Sequence, residues 1–598
     1  MVYLDNDDEG LRRIRYPPCC GGVVDDLSRR SKFCAADWLD GLRHWKKTLS
    51  AALFMFFATF FSTVALGALI QKATGQRIGL LEYLLMNACA GVAHAIFGVQ
   101  PLLVLRPTGP ITSIITKLSE LADVLHLDFY EYFAATGCCV GLLMGLVASF
   151  EVSRLIARVT PFTHDIFACF VCSIYLHDGV ADVVHRFGES DFGEALLETN
   201  LALLTFGVSL SLFGAPRWRI LPPSVRAFLQ DYAVTIAVLA AAGATALVTR
   251  YSQMHVQRIP LATGPFGPTC MWNGEPLPTN ATEFLTLSVD GASPKTPTCA
   301  NAANTTIAAS ARPWIAWSGA GGLSASERLR LWALALCSAV PITFFFYMDQ
   351  NISSLLSQLR TMGLARGRYF HASFLYMGVF CAVGPMLGLP FVTGSLPHSP
   401  QLVKALTSVS SPSPNDPRPV MRVAESRIAP LVAYALISLP LFAPSVLEPI
   451  PEAAIDGVLA YVGVEGIVET MLWRRTMLLL APSSELPPRL HAACRSARII
   501  HLYTLVQLLA LAAVWAVNVT PAGLCVSFVI VSFVPFRERL LPVLFEPSAL
   551  AALDSELAFA DDDAADEPPS QMTGRASIST TPGGSAGERS AVTWSGLA

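Results

Sequence analysis

Two proline pairs within apolar sequence are the feature that most limits how this chain folds. Pro107-Thr108-Gly109-Pro110 and Pro397-His398-Ser399-Pro400 lie about half a chain apart, and the helix-compatible stretches Ile111 to Leu118 and Gln401 to Leu406 follow them. Proline fits the first helical position, where its missing N–H costs nothing, and Gly109 and Ser399 are acceptable N-caps. The pattern predicts two broken membrane helices whose half-helices start at mid-membrane depth, where their positive ends can hold an anion.

The composition indicates a membrane protein. Of 598 residues, 53% are hydrophobic and 14% charged, whereas soluble domains carry about 25% charged residues. With the half-helices at 101–118 and 390–407, we expect an all-α polytopic protein of about fourteen spans. The apolar segments long enough to cross a bilayer, about 20 residues each, are 48–70, 80–97, 132–151, 161–184, 196–214, 228–249, 328–350, 369–389, 427–446, 450–472 and 498–536, the last holding two spans.

Basic residues predict the orientation in the membrane. Residues 1–45 form a basic segment, and the arginines of five later loops all fall on the same side if fourteen spans are assumed. The positive-inside rule places that side, and both termini, in the cytoplasm. The acidic, then Ser-rich tail 546–598 cannot bury a core and is expected to be disordered.

The polar loop 251–326 is expected to lie on the opposite side of the membrane. It carries two sequons, at Asn280 and Asn304, and two cysteines, Cys270 and Cys299. N-glycans and a disulfide between these cysteines are expected if the loop faces a secretory lumen. This places the protein in the plasma membrane or a membrane of the secretory pathway.

Charged residues near the breaks are the candidate site. Asp349 ends a long apolar run, and an acid within a span is by default a functional residue, although it could also mark the end of a helix. Arg106 could complement an anion or extend to the headgroups. His398 lies at the matching place in the second half and could donate a hydrogen bond or cap the break.

Small polar residues complete the predicted site. They can donate to a solute, or they can satisfy backbone groups freed by the break. The predicted substrate-binding residues are Asp349, Arg106, Thr108, Gly109, Thr112, Thr393, Ser395, His398 and Ser399. No metal-ligand spacing, phosphate loop, catalytic triad or nucleic-acid patch is visible, so we expect no cofactor, no enzyme activity and no nucleic-acid partner.

Several motifs resemble the bicarbonate transporter family (solute carrier family 4), and within it the plant and fungal borate transporters. The most specific is Gly388-Leu389-Pro390 followed by Gly394-x-Leu396-Pro397-x-Ser399-Pro400-x-x-x-Lys404-x-Leu406, which resembles the tenth span of those transporters. Further similar motifs between about 35 and 555 are Asp37-Trp38, Gly41-Leu42, Gln100-Pro101-Leu102-Leu103, Asp231-Tyr232, Met348-Asp349-Gln350, Val534-Pro535, Leu541-Pro542, Leu544-Phe545 and Pro547.

The resemblance implies a fold of seven-plus-seven inverted repeats, 46–250 and 327–545, with half-helices as spans 3 and 10. It implies a substrate-carrying core domain that moves against a gate domain, and a homodimer formed through the gate. It also implies that Asp349 and the two half-helix N-termini form the anion site. Animal bicarbonate exchangers have an arginine where His398 aligns, whereas borate transporters have an uncharged polar residue. His398 therefore favours borate. Arg106 and Gly109, however, stand where plant borate transporters have a glycine and a glutamate.

The sequence therefore predicts a secondary active transporter of a small inorganic anion that works by alternating access. Borate is the leading candidate, and the alternative is exchange of bicarbonate and chloride. Proton, sodium and chloride are candidate coupling ions. A carrier of nucleobase or sulfate and a membrane scaffold or receptor without transport activity are the remaining alternatives.

Overall fold

The computed structural model describes residues 19–554 except 76, 190, 252–253, 255, 260–269, 273–274, 277–297, 301–305, 309, 312–314, 316–322, 359–362, 410–420, 483–485, 487–489, 491–493 and 495. The predicted glycosylation sites Asn280 and Asn304 and the tail beyond 554 lie outside this part. Cys270 and Cys299 lie in short strands of which only the backbone is described, so the disulfide stays a prediction.

The described residues are almost entirely helical. The helices, in chain order, are α1 Gly21–Ser31, α2 Cys34–Arg43, α3 Trp45–Ala73, α4 Leu80–Phe97, α5 Gly109–Val124, α6 Phe129–Ser149, α7 Pro161–Glu189, α8 Phe192–Phe213, α9 Pro223–Asp231, α10 Ala233–Tyr251, α11 Ala325–Ser357, α12 His371–Met386, α13 His398–Leu406, α14 Ile428–Ile437, α15 Glu452–Val468, α16 Met471–Leu478, α17 Ala497–Asn518, α18 Val526–Pro535, α19 Leu541–Leu544 and α20 Pro547–Leu553.

Short strands connect some of these helices. They are β1 Leu105–Arg106, β2 Cys270–Trp272, β3 Glu275–Pro276, β4 Thr298–Ala300, β5 Thr306–Ala308, β6 Ser310–Ala311, β7 Thr393–Gly394, β8 Thr407–Val409 and β9 Met421–Val423. All the pairings are antiparallel: β1 with β7, β2 with β3 and β6, β4 with β5, and β8 with β9.

Eight helices among the described residues are long and apolar enough to cross a membrane: α3, α4, α6, α7, α8, α10, α11 and α17. Two shorter apolar helices, His371–Met386 and Ile428–Leu441, match two further predicted spans. The segment 498–536 is divided as expected, because a 3₁₀ turn at Pro521–Cys525 separates α17 from α18. The total of fourteen spans and their division into two repeats of seven stay predictions.

The helices pack into two bundles. The first consists of α3, α4, α6, α11, α12 and α14, with the two half-helices α5 and α13. In the second, α15 packs on α7 and α8, α10 packs on α8, and α17 lies along α7. The bundles meet where α3 contacts α15, where α11 contacts α18, and where the half-helix α5 contacts α7.

The chain is broken at both predicted positions. Each break is a non-helical segment that contains a two-residue strand, and these strands pair within the first bundle, with Leu105 opposite Gly394 and Arg106 opposite Thr393. The half-helices begin slightly earlier than predicted, at Gly109 and His398, with Thr108 and Pro397 as N-caps. Gly109 and Ser399 are therefore within the helices and are not the N-caps, because α5 begins one residue earlier than predicted and α13 two residues earlier.

The N-terminal segment folds onto the second half of the chain. Helices α1 and α2 lie within the interval predicted only as a basic segment. The fully buried Asp37 carboxylate of α2 accepts hydrogen bonds from Arg30 at 2.7 Å, Arg366 at 2.6 Å and Arg427 at 3.1 Å. Because a buried ion pair that loses one partner leaves a costly unpaired charge, this cluster fixes the segment firmly in place.

Candidate functional site

The crossing of the two broken segments is held by side chains of α11 and α13. The Gly394 N–H donates to Gln350 Oε1 at 2.6 Å, and Ser353 Oγ donates to the Gly394 carbonyl at 2.6 Å. A Cβ on residue 394 would come within 2.7 Å of Gln350 Oε1, so a larger residue here would displace the Gln350 side chain from its hydrogen bond with the Gly394 N–H. These contacts fix β7, and through it β1, against the helix that carries Asp349.

Arg106 is buried beside the start of α5, and no described residue forms an ion pair with it. Its side chain is 2% exposed. Nη2 donates to Ser62 Oγ at 3.1 Å and Nε to the Pro107 carbonyl at 3.3 Å. Nη1 has no hydrogen-bond partner among the described residues. A buried guanidinium with an unpaired N–H is costly, so this group is a candidate for contact with an anion.

Asp349 faces the same crossing. The carboxyl group lies beside the Thr393 side chain, and Thr393 is the cross-strand neighbour of Arg106. Directly opposite residues of an antiparallel pair present their side chains on one face. Asp349 is 3% exposed, and within the described part of the chain its Oδ2 has no hydrogen-bond partner. Arg106 and Asp349 do not form an ion pair in that part of the chain.

Thr108 and Thr112 surround the N-terminus of α5. Tyr83 of α4 approaches them, with its hydroxyl 3.4 Å from both the Thr108 carbonyl and Thr112 Oγ1. The buried Thr108 Oγ1 finds no hydrogen-bond partner in the described residues. Gly109 N–H donates to Tyr175 Oη at 2.8 Å. The first break therefore combines free donors and acceptors within a few residues.

Three of the four predicted residues of the second break are hydrogen-bonded, whereas Thr393 Oγ1 has no hydrogen-bond partner among the described residues. His398 Nδ1 and Ser395 Oγ are 2.7 Å apart. Ser399 Oγ donates to the Ser395 carbonyl at 2.7 Å and accepts from the Val104 N–H at 3.1 Å. The structure thus brings all nine predicted residues to one crossing, with Ser395, His398 and Ser399 largely engaged in holding it together.

Sequence reasoning missed three tyrosines and a serine of this site. Tyr83, Tyr175 and Tyr434 each direct a hydroxyl at the first break, and Ser62 of α3 contacts Arg106. A tyrosine inside an apolar helix carries a polar tip that needs a partner. This was the available signal, but nothing in the sequence shows which break such a tip will reach.

The site lies in a chain whose family is evident from comparison with known proteins. The model of the "HCO3- transporter integral membrane domain" family matches residues 18–195 and 305–558. Because the match covers well over half of the sequence, this chain belongs to the bicarbonate transporter family, as the motifs predicted. It is a family of transporters and not of enzymes. The closeness to borate transporters is not shown.

Named relatives agree with this assignment. The band 3 anion transport protein of Rattus norvegicus is 24% identical over 572 residues, which cover 92% of this chain and 56% of the relative. Anion exchange protein 3 of Homo sapiens is 25% identical over 578 residues, covering 90% of this chain and 43% of the relative. The chain thus spans about half the length of the curated relatives it matches.

Two solved structures are also similar. The transmembrane domain of the cyanobacterium bicarbonate transporter BicA gives a TM-score of 0.47 at 16% identity, covering 78% of this chain and 97% of that one. The structure of SLC26A9 gives a TM-score of 0.48 at 10% identity, covering 88% of this chain and 72% of that one.

Proposed function

We propose that this protein is a secondary transporter that binds a small hydroxylated anion, with borate as the leading candidate, at the crossing of its two broken helices. The observation that carries the proposal is the buried Arg106 guanidinium, which has a free Nη1 and no acidic partner among the described residues. A cation buried at a half-helix N-terminus attracts a negatively charged solute through both its charge and the helix dipole.

The site supports a solute that both accepts and donates hydrogen bonds. Arg106 Nη1 is a donor, Asp349 Oδ2, which no described residue contacts by a hydrogen bond, is an acceptor, and Thr108 Oγ1 can act as either. Chloride only accepts hydrogen bonds. Bicarbonate carries one O–H group and tetrahydroxyborate carries four, so borate can use the most of these groups. Exchange of bicarbonate and chloride is the second candidate, supported by the family description, which names an HCO3- transporter, and by a relative that is named an anion exchange protein.

Movement of the first bundle against the second would provide alternating access. In this proposal the first bundle, which holds the whole crossing, is the core domain, and the second bundle is the gate domain. A homodimer through the gate, cytoplasmic termini and seven-plus-seven inverted repeats remain part of the same proposal. Proton, sodium or chloride would be the coupling ion.

Reconstitution of the full chain into liposomes tests the function. Boron uptake, bicarbonate-driven change of internal pH and labelled chloride uptake are measured side by side, with and without sodium. We expect boron flux above that of empty liposomes, and we expect Asp349→Ala to abolish it while the protein still inserts and folds. Flux of bicarbonate and chloride without boron would replace borate by the second candidate. A folded protein that moves none of the three would overturn the proposal.

A further inference from the structure

Tyr175 connects the two bundles at the anion site. It lies on α7, in the second bundle, and its Oη accepts the hydrogen bond from Gly109 N–H at 2.8 Å. Gly109 is the first residue of the half-helix α5, in the first bundle. Amides at a helix N-terminus are the groups that bind an anion. The tyrosine oxygen therefore occupies an N–H that an anion at this position would use.

The fit between the two residues is tight. A Cβ at position 109 would lie 2.5 Å from Cε1 of the Tyr175 ring and 3.0 Å from its hydroxyl. Such distances are too short for any side chain other than that of glycine. The absence of a side chain at Gly109 thus allows the ring to lie directly over the start of the half-helix.

The other donors at this helix start are not equivalent. Residue 110 is a proline and has no N–H, and Thr112 N–H already donates to the Thr108 carbonyl at 3.1 Å. Tyr175 also lies within electrostatic range of both Arg106 and Asp349. Its hydroxyl therefore lies at the edge of the proposed site, where it contacts the first residue of α5.

We infer that the Tyr175 hydroxyl takes the place of the anion in the unloaded site and so ties the half-helix α5 to α7 until an anion displaces it. This inference rests on the proposed function. A charged oxygen binds the helix N-terminus and Arg106 more strongly than a neutral phenol oxygen does. Loading therefore breaks the link between the bundles, whereas the empty site keeps it. Such a link favours exchange of one anion for another over net transport.

Two further tyrosines provide matched controls. Tyr434 of α14 donates to the Leu105 carbonyl at 2.9 Å, and Tyr83 of α4 lies close to the Thr108 carbonyl. Both hydroxyls reach the same break as Tyr175 does. All of these partners belong to the first bundle, so loss of either hydroxyl leaves the contact between the bundles unchanged.

The test compares Tyr175→Phe with Tyr434→Phe in liposomes loaded with borate at alkaline pH. Boron efflux is measured into borate, which reports exchange, and into gluconate, which reports net transport. For Tyr175→Phe we expect the ratio of net efflux to exchange to rise about tenfold, as for loss of one hydrogen bond of about 1.4 kcal/mol. For Tyr434→Phe, whose hydroxyl belongs to the same site, we expect net efflux and exchange to fall together, so that their ratio stays at the wild-type value.

A second measurement does not depend on transport. Borate that binds the folded protein raises its melting temperature in detergent, and the borate concentration at half of this effect is measured. If Tyr175 competes with the anion, this concentration falls several-fold in Tyr175→Phe. The inference alone would be refuted if the wild-type protein carries borate but Tyr175→Phe changes neither the ratio of net efflux to exchange nor the half-saturating borate concentration. A wild-type protein that carries no borate would refute the proposed function and the inference with it.

Discussion

The two breaks look alike in sequence but differ in how their polar atoms are satisfied. At the second break, Ser395, His398 and Ser399 form hydrogen bonds with one another and with Val104. At the first, Arg106 Nη1 and Thr108 Oγ1 are buried and find no partner in the described residues. Thr393 Oγ1 of the second break is also unpaired among these residues, and it lies across the strand pair from Arg106. Buried polar groups are nearly always paired, so the first break together with Thr393 is the better candidate for holding a solute. Ser395, His398 and Ser399 hold the fold.

The largest effect expected from this difference is at Arg106. Arg106→Gln removes the buried charge, and flux should fall on the order of 100-fold, as for loss of a charge-assisted hydrogen bond of about 3 kcal/mol. Thermal stability should be unchanged or higher, because an unpaired charge no longer has to be buried. Flux in liposomes and melting in detergent measure the two effects.

The control for this variant is Arg226→Gln, since Arg226 donates to the Pro216 carbonyl away from the site. It should keep full flux. If Arg106→Gln instead transported normally, or lost stability and flux together, Arg106 would be a structural residue and the contrast between the two breaks would disappear.

Ser399→Ala should show the opposite pattern. The substitution leaves the buried Val104 N–H without its acceptor, which costs about 1–3 kcal/mol. We therefore expect a lower melting temperature, with flux per folded molecule close to that of the wild type. Ser438→Ala, at a partly exposed serine that caps the C-terminus of α14 and donates to the Ala435 carbonyl, should change neither quantity. Normal stability with lost flux would make Ser399 a solute ligand, as the sequence predicted.

A smaller effect is expected at Thr108. Thr108→Val keeps the shape of the side chain and removes one neutral hydroxyl, so flux should fall about 2- to 10-fold, the equivalent of 0.5–1.5 kcal/mol. Thr116→Val, two turns further along α5, removes a hydroxyl that donates to the Thr112 carbonyl at 3.0 Å and should leave flux intact. Equal losses in both variants would argue against a solute contact at Thr108.

The sequence predicted the positions of the breaks and of most apolar helices because both are local properties. Proline pairs interrupt a helix wherever they occur, and twenty apolar residues suffice to cross a bilayer. The sequence could not predict that Arg106 pairs with Thr393 or that Tyr175 contacts Gly109. Such contacts join segments far apart in the chain, and their partners depend on how the bundles pack.

The sequence could not predict, for the same reason, that the polar atoms of the two breaks differ in their hydrogen-bond partners. His398 and Arg106 appeared as corresponding candidates, since each lies next to a proline pair. Only the fold shows that His398 contacts Ser395, three residues away, whereas Arg106 donates to Ser62 on another helix and has one N–H that no described residue accepts.

The second half is also anchored from the N-terminal segment, which leads to the smallest effect. Asp26 of α1 accepts hydrogen bonds from the Phe370 and Ala372 N–H groups and pairs with Arg29 at 2.8 Å. Burial raises the pKa of Asp26 from 3.8 to about 7, although these partners favour the charged form. The folded state therefore holds the Asp26 proton more tightly than the unfolded state does. The stability that this proton contributes is complete below about pH 4 and is lost as the pH rises through about 7.

The test is Asp26→Asn, which keeps an acceptor oxygen but does not titrate. The melting temperature of this variant should fall less between pH 5 and pH 8 than that of the wild type. Parallel pH profiles for the two proteins would show that Asp26 is already charged at pH 5 and that the contact is insensitive to pH.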